Sequence, residues 1–291
     1  MKGIFEQKSF STQLFLLALI FFCCNLLASF GTTFFAQFTD ITEAANKLRI
    51  TLFIQNSIIF IGTPLIAQYI LQKEPAKTVF QLNRPDFLPI VLGCMAILFS
   101  GPVIDMLNTW NQGLHLPPGM ESLEEWMISS EKQAEVLNKQ LLEIDSWGEL
   151  IANLIVISLL AGIGEELFFR GLLQPFFIKW TKNTHIGVFI AAFLFSAIHL
   201  QFFGFIPRLV SGILLGYLYI ASRNLWVPIA AHAINNLWVI LFTPNTLNRE
   251  YKLITDMNNV ENNWWIVTGS IILTAVCLFP IWKNYRSSSS N

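Results

Sequence analysis

The sequence predicts an all-α membrane protein, a polytopic helical bundle with about eight transmembrane helices. Of its 291 residues, 54% are hydrophobic and only 13% are charged, whereas a soluble domain of this size carries about 25% charged residues. Phenylalanine occurs 26 times and tryptophan 9 times. Several apolar runs reach the roughly 20 residues that are needed to cross the hydrocarbon core of a bilayer.

Charge and cysteine content exclude several other classes. The net charge of −1 gives no reason to expect a nucleic-acid partner, because such partners require a basic surface. The four cysteines all lie inside apolar runs and show no C-x-x-C spacing, so we interpret them as small buried residues. We therefore expect the chain to lie in the lipid bilayer.

The predicted spans are separated by short polar connections, and tryptophans flank many of them, as in an interfacial aromatic belt. We expect the first span to be retained, because its apolar run is too long for the core of a typical signal peptide. The eight spans cover residues 13–36, 50–71, 87–106, 151–178, 185–202, 205–221, 225–242 and 264–282.

The connections between the spans predict an orientation. Lysines and arginines concentrate on one side of the eight-span arrangement, so the positive-inside rule predicts that both termini are cytoplasmic. The residues concerned are Lys2, Lys8, Lys73, Lys77, Arg84, Lys179, Lys182, Arg223, Lys283 and Arg286.

The opposite side holds a long acidic loop, residues 107–147, which we expect to be extracytoplasmic. Leu137, Leu141 and Ile144 recur at helical spacing in it and predict an amphipathic helix near the membrane surface. We favour a solvated connector helix as the interpretation, with a substrate gate as the alternative.

Ionisable residues inside the spans are candidate functional residues, since each costs at least about 2.5–3.5 kcal/mol at the centre of a membrane. These residues concentrate in the second half of the chain, together with one amide. They are Glu165, Glu166, Arg170, His199, His232 and Asn236.

Helix geometry separates the two adjacent glutamates. Glu166 and Arg170 are four residues apart with the acid first, which is the favourable order for an ion pair on one helix face. Glu165 points about 100° away and has no basic residue three or four positions later. Glu166 is therefore predicted to be structural, and Glu165 is the candidate general base.

A helical hairpin with its turn near Lys182 would place Glu165 and His199 at the same depth. Each lies about 17 residues from that turn, or roughly 25 Å along a helix. Phe195, one helical turn before His199, is expected to pack against the histidine ring.

A further histidine and an asparagine complete the candidate set, because His232 and Asn236 share a helix face. One interpretation is activation of water at a carbonyl, with Glu165 and His199 acting on the water and His232 and Asn236 stabilising the oxyanion. The other is a zinc site formed by Glu165, His199 and His232 with an open position for water. The residue types alone leave both open.

The segments "EELFFR", "FSAIH" and "HAINN" resemble the E-E-x-x-x-R, F-x-x-x-H and H-x-x-x-N motifs of the CAAX protease and bacteriocin-processing family (CPBP, Rce1-like, Abi). The three motifs occur in the family's order, each on an apolar span. The resemblance divides a single membrane domain, residues 1–291, into N-terminal spans (13–106), the acidic loop (107–147) and a catalytic core (150–245).

The resemblance implies an intramembrane endopeptidase of the glutamic type, with metalloendopeptidase activity as an older description of the family. It implies that Glu165 and His199 activate water, that His232 and Asn236 form an oxyanion hole, and that Glu166 and Arg170 support the site. No cofactor is favoured, and zinc is the alternative. The implied partner is a peptide or protein substrate that reaches the membrane.

Two other functions are compatible with the same residues. One is a non-catalytic bacteriocin-immunity or scaffold protein of the same fold, and the other is a proton-coupled transporter, since membrane Glu, His and Arg residues also build proton relays. The short connections and the basic loops favour a bacterial plasma-membrane protein.

Overall fold

The structure, a computed structural model, describes residues 2–38, 43–243 and 264–289, and all regular secondary structure within these ranges is helical. Two short helices, Ala76–Val79 and Phe202–Gly204, accompany the longer ones. In the described chain the longer helices are α1 (Phe10–Phe38), α2 (Ala44–Leu71), α3 (Phe87–Gln112), α4 (Glu121–Leu142), α5 (Trp147–Thr181), α6 (Thr184–Ala197), α7 (Phe205–Ser222), α8 (Trp226–Phe242) and α9 (Trp264–Ser289).

The predicted helical membrane bundle is confirmed. Within the described ranges, six helices are long and apolar enough to cross a membrane: α1, α2, α3, α5, α9, and α7 with the short turn before it. The remaining two predicted spans correspond to α6 and α8, apolar helices of only 14 and 17 residues. Residues 244–245, at the end of the predicted core, lie outside the described residues.

The basic loops meet at one end of the bundle, as the charge pattern predicts. Near the N-terminus, the backbone N–H of Gly3 donates to the carbonyl of Tyr69, 2.9 Å away at the end of α2. The amide of Asn224, between α7 and α8, donates to the carbonyl of Asn83 at 2.9 Å. The indole of Trp180 stacks on the ring of Phe10, the first residue of α1. The cytoplasmic position of this end stays a prediction.

Helix α5 lies at the centre of the bundle and packs against α2, α6 and α8. Its contact with α8 is close because Gly162 has no side chain: a Cβ there would lie 3.3 Å from the backbone nitrogen of Ala233. Next to it, the hydroxyl of Ser158 donates to the carbonyl of Ala233 at 2.8 Å. Two π-helical stretches, Leu154–Leu160 and Leu167–Leu173, interrupt α5, and such stretches are frequent at functional sites.

Helix α6 ends earlier than hydropathy predicts. The predicted span 185–202 continues through His199, whereas the helix ends at Ala197 and the chain turns through Leu200, which is left-handed with φ 53°. The expectation of two helical legs of equal length is therefore wrong for the second leg, since His199 lies in the turn.

Hydrogen bonds from a distant helix stabilise this turn. The side-chain amide of Asn111, near the end of α3, donates to the carbonyl of Phe202 at 2.8 Å and accepts from the backbone N–H of Ile206 at 3.0 Å. Non-helical backbone at membrane depth is tolerated where protein groups satisfy it. The apolar composition of residues 198–206 gives no sign of these bonds, which is why the span prediction is too long.

The amphipathic helix predicted in the acidic loop is present as α4, and it is docked on the bundle. The side chain of Asn153, in α5, donates to the carbonyl of Leu141, which is buried at the end of α4. Asn153 in turn accepts a 2.8 Å hydrogen bond from Nε of the buried Arg49 in α2. Asn153 thus attaches the C-terminal end of α4 to the bundle, whereas most of the helix is exposed. The choice between a connector helix and a substrate gate stays a prediction.

The close approach of α5 and α8 makes a testable prediction. Gly162→Val places new atoms against the backbone at Ala233, and overpacking of this kind costs about 1–3 kcal/mol. We expect the midpoint of thermal unfolding in detergent, followed by tryptophan fluorescence, to fall by several degrees. The matched control is Gly269→Val in α9, where a Cβ would have no heavy atom within 4 Å. Equal midpoints for the two variants would contradict the packing described.

Candidate active site

A cavity of about 800 Å³ lies between the helices at the middle of α5. Glu165, His199, His232 and Asn236 all line it. These four residues come from α5, α8 and the turn after α6, so the fold brings together side chains up to 71 positions apart in the sequence. The structure thus places every predicted catalytic residue at one cavity.

The ion pair predicted from helix spacing is present and buried. Nη1 of Arg170 donates to Oε1 of Glu166, and the two side chains are 1% and 0% exposed. Nη2 of Arg170 donates to the carbonyl of Gly212, in α7, at 3.0 Å. A Cβ on Gly212 would crowd Phe195 at 3.2 Å, so the glycine leaves space for this arrangement.

His232 shares the carboxylate of Glu166, which the sequence analysis did not predict. Its Nδ1 lies 2.7 Å from the same Oε1 that accepts from Arg170. Because an ionised carboxylate only accepts hydrogen bonds, Nδ1 of His232 carries the hydrogen. The opposite ring nitrogen, Nε2, is turned towards Glu165 and lies 3.8 Å from its Oε2.

Glu165 differs from its neighbour in exposure and in bonding partners. Its side chain is 14% exposed and lines the cavity. Among the described residues its carboxylate accepts no hydrogen bond, and its ion-pair contact is the one with His232. Glu166 is engaged with two cationic or hydrogen-donating partners, whereas Glu165 is available to a molecule in the cavity.

The orientation of His199 is fixed by the residue one turn before it. Nδ1 of His199 lies 2.8 Å from the carbonyl oxygen of Phe195, so this nitrogen is the donor. In the neutral ring, Nε2 then keeps its lone pair and can accept a proton or a hydrogen bond.

The ring of Phe195 contacts three of the site's polar groups. It meets the rings of His199 and His232 edge to face, at centroid distances of 5.3 and 5.9 Å. The guanidinium of Arg170 lies over its face, 4.7 Å from the centroid, in cation–π geometry. The predicted packing of Phe195 on His199 is confirmed, and the ring also separates Arg170 from the turn.

Asn236 lines the cavity one helical turn beyond His232. Its Nδ2 donates to the carbonyl of Ile157 at 3.0 Å, within a π-helical stretch of α5. A side-chain amide has two hydrogens on this nitrogen, so one remains for an acceptor in the cavity.

The three residues of the alternative zinc site all line the cavity. Within the described chain, no group of three His, Cys, Asp or Glu side chains is arranged to hold a metal ion. Glu165, His199 and His232 line one cavity but do not form such a group.

Two ionisable residues that line the cavity were missed by the sequence analysis. Arg208 lies in the first turn of α7 and Asp105 in α3, and both fall inside predicted spans. The rule that identified Glu165 applies equally to them, since a charged residue inside a span is a candidate functional residue. A complete count of charges within the spans would have found both.

Comparisons with known proteins agree with the motifs. Residues 147–238 match the family model described as type II CAAX prenyl endopeptidase Rce1-like. This segment is about a third of the chain and contains all three motifs. The predicted resemblance to that family is therefore confirmed for residues 147–238.

A curated relative is similar to the chain over a comparable length. Over 88 residues, the chain is 36% identical to the uncharacterized protein YpbD of Bacillus subtilis (strain 168). The aligned segment makes up 29% of this chain and 42% of that protein. The chain thus covers less than half the length of this relative. No solved structure matches the chain significantly.

The shared carboxylate of Glu166 predicts a sharp contrast between the two glutamates. Glu166→Ala leaves Arg170 and His232 buried without their acceptor, and breaking a buried ion pair costs about 3–5 kcal/mol. We expect a large loss of folded protein, measured as monodisperse yield in detergent and as the midpoint of thermal unfolding.

Glu165→Ala is the matched control for this prediction. It removes the same side chain one position away, where no buried hydrogen bond is lost among the described residues, so its yield and midpoint should stay close to wild type. Equal stability of the two variants would contradict the structural role of Glu166.

Proposed function

We propose that the chain is an intramembrane endopeptidase, which hydrolyses a peptide bond with water activated by Glu165 and His199. The observation that carries the proposal is the difference between the adjacent glutamates. One carboxylate is neutralised by a buried arginine and hydrogen-bonded to a histidine, while the other faces a cavity that His199 also lines. The likeness of residues 147–238 to an endopeptidase family supports the same conclusion.

In the proposed reaction, the carboxylate of Glu165 takes a proton from a water molecule as the water oxygen attacks the peptide carbonyl carbon. Nε2 of His199, with its lone pair, accepts a hydrogen bond from the same water and orients it. The carbon–nitrogen bond then breaks, and the proton held by Glu165 passes to the leaving amine. Atoms and charges balance without any further reactant.

The negative charge that develops on the carbonyl oxygen needs hydrogen-bond donors. We assign this role to the free hydrogen of the Asn236 amide and to Nε2 of His232 when that ring is doubly protonated. Glu166 accepts a hydrogen bond from Nδ1 of the imidazole and so holds the ring with Nε2 turned towards Glu165. Donors of this kind commonly contribute the largest electrostatic part of acyl-transfer catalysis.

The surroundings of the reaction are part of the proposal. The partner is a peptide or protein substrate that reaches the cavity from the membrane, and the site is assigned no metal ion. We place the protein in a bacterial plasma membrane with both termini cytoplasmic, on the basis of the basic loops at one end of the bundle.

Substitution of the two water-activating residues tests the proposal. We expect purified wild-type protein to cleave members of a peptide library. Glu165→Gln and His199→Ala should each reduce this cleavage, relative to wild type, by at least about 10³-fold. This factor lies within the range that general acid–base catalysis contributes. Cleavage is measured by mass spectrometry of the products, and folding of each variant is checked by thermal unfolding.

The control is Ser211→Ala, which alters a hydroxyl that lines the same cavity and donates to the carbonyl of Pro207. Its activity should remain close to wild type. Full activity of Glu165→Gln would overturn the assigned mechanism. A wild-type protein that cleaves no peptide, but still folds, would instead favour the non-catalytic or transport function.

Chelation tests whether a metal ion takes part. Because no described group of three ligands converges in the cavity, we expect peptide cleavage to survive prolonged treatment with a strong chelator. Elemental analysis of the purified active protein should find far less than one zinc ion per chain. Activity that is lost on chelation and restored by zinc would contradict the metal-free mechanism.

A further inference from the structure

Arg208 introduces a positive charge into the same cavity as Glu165 and His199. It lies in the first turn of α7, just after the irregular turn that carries His199. Among the described residues that line the cavity, Arg208 is the only lysine or arginine. None of the steps proposed above uses it.

The hydrogen bonds of Arg208 leave part of its guanidinium unused. Nη2 donates to Oε1 of Gln201 at 2.7 Å, while Nη1 is buried and has no hydrogen-bond partner in the described chain. The absence of a side chain at Gly204 provides space for the group, since a Cβ there would lie 3.3 Å from Nη2. Buried guanidinium hydrogens without an acceptor are costly, so their retention suggests that a ligand supplies the acceptor.

Two carboxylates lie near Arg208 without forming an ion pair with it. They belong to Glu165, in α5, and Glu131, in α4, and the described structure contains no ion pair between Arg208 and either one. The carboxylate of Glu131 is turned instead towards the backbone N–H of Phe203, 3.4 Å away. Arg208 therefore carries a positive charge with which neither of these carboxylates forms an ion pair.

We propose that Arg208 forms a carboxylate-binding subsite of the cavity, which holds a free carboxylate of the substrate peptide beside the water-activating residues. This inference rests on the proposed peptidase function and adds to it the class of substrate. A planar guanidinium pairs with a carboxylate through two parallel hydrogen bonds. Nη1 and the remaining hydrogen of Nη2 provide the two donors.

Glu131 acts as the competitor of the substrate in this subsite. It belongs to α4, whose Trp126 packs on the ring of Phe202 with centroids 5.1 Å apart. Helix α4 therefore holds the acidic side chain of Glu131 near Arg208. A substrate carboxylate that binds Arg208 replaces this weaker attraction by direct hydrogen bonds.

Binding to a non-cleaving variant tests the subsite separately from catalysis. In the Glu165→Gln background, dissociation constants are measured by tryptophan fluorescence for two pairs of otherwise identical peptides. One pair differs by a free or an amidated C-terminus, and the other by an internal Glu or Gln. We expect the carboxylate member of one pair to bind at least tenfold more tightly, and the pair that shows the preference identifies the source of the carboxylate.

Two further substitutions should change this preference in opposite directions. Adding Arg208→Gln should abolish it, because the paired donors are lost. Adding Glu131→Gln should strengthen binding of the carboxylate peptide several-fold, because the competing charge is lost. Lys139→Gln in α4 is the matched control: it removes one positive charge from a side chain that is 73% exposed outside the cavity, and the preference should stay unchanged.

The outcomes separate this proposal from the peptidase function. A preference that persists in Arg208→Gln, or the absence of any preference in the Glu165→Gln protein, overturns the subsite. If Arg208→Gln does not fold, the Glu131→Gln variant decides, because it leaves Arg208 in place. An unchanged affinity of that variant for the carboxylate peptide overturns the proposal. An Arg208-dependent preference in a protein that cleaves no peptide overturns the peptidase function alone.

Discussion

The site depends on the hydrogen bonds that the buried carboxylate of Glu166 accepts. Its Oε1 accepts hydrogen bonds from Arg170, on the same helix, and from His232, on α8. Arg170 extends the connection to α7 through the carbonyl of Gly212. An unpaired charge at this depth would cost several kcal/mol, so α5, α7 and α8 can pack only in an arrangement that brings these groups together. That arrangement leaves the neighbouring carboxylate, Glu165, directed at the cavity.

The second constraint is an irregular turn at membrane depth. Because Asn111 satisfies the backbone of residues 202 and 206, the chain can leave helical geometry after α6 without exposing unbonded polar groups to lipid. His199 lies in this turn, and Arg208 follows it. A side-chain amide on α3 thus supports the segment that supplies His199, the residue proposed to orient the attacking water, and Arg208.

The candidate catalytic residues come from one part of the chain, whereas the walls of the cavity come from several parts. The segment with known relatives, residues 147–238, contains Glu165, His199, His232 and Asn236. Helices α2, α3 and α4 also line the cavity, and they lie outside that segment. The likeness therefore covers the candidate catalytic residues and Arg208, whereas the part of the cavity wall that α2, α3 and α4 form lies outside it.

The sequence by itself determined what depends on local spacing and composition. Apolar runs defined the helical bundle, and the four-residue interval between Glu166 and Arg170 defined their ion pair. Only the tertiary structure decided which residues from different helices meet. His232 bonds to Glu166, which is 66 positions away in the sequence. Asn111 bonds to Phe202, 91 positions away, in the irregular turn that follows α6. Helical periodicity defines the faces of one helix, but the rotation and depth of neighbouring helices follow from packing and from the pairing of buried polar groups.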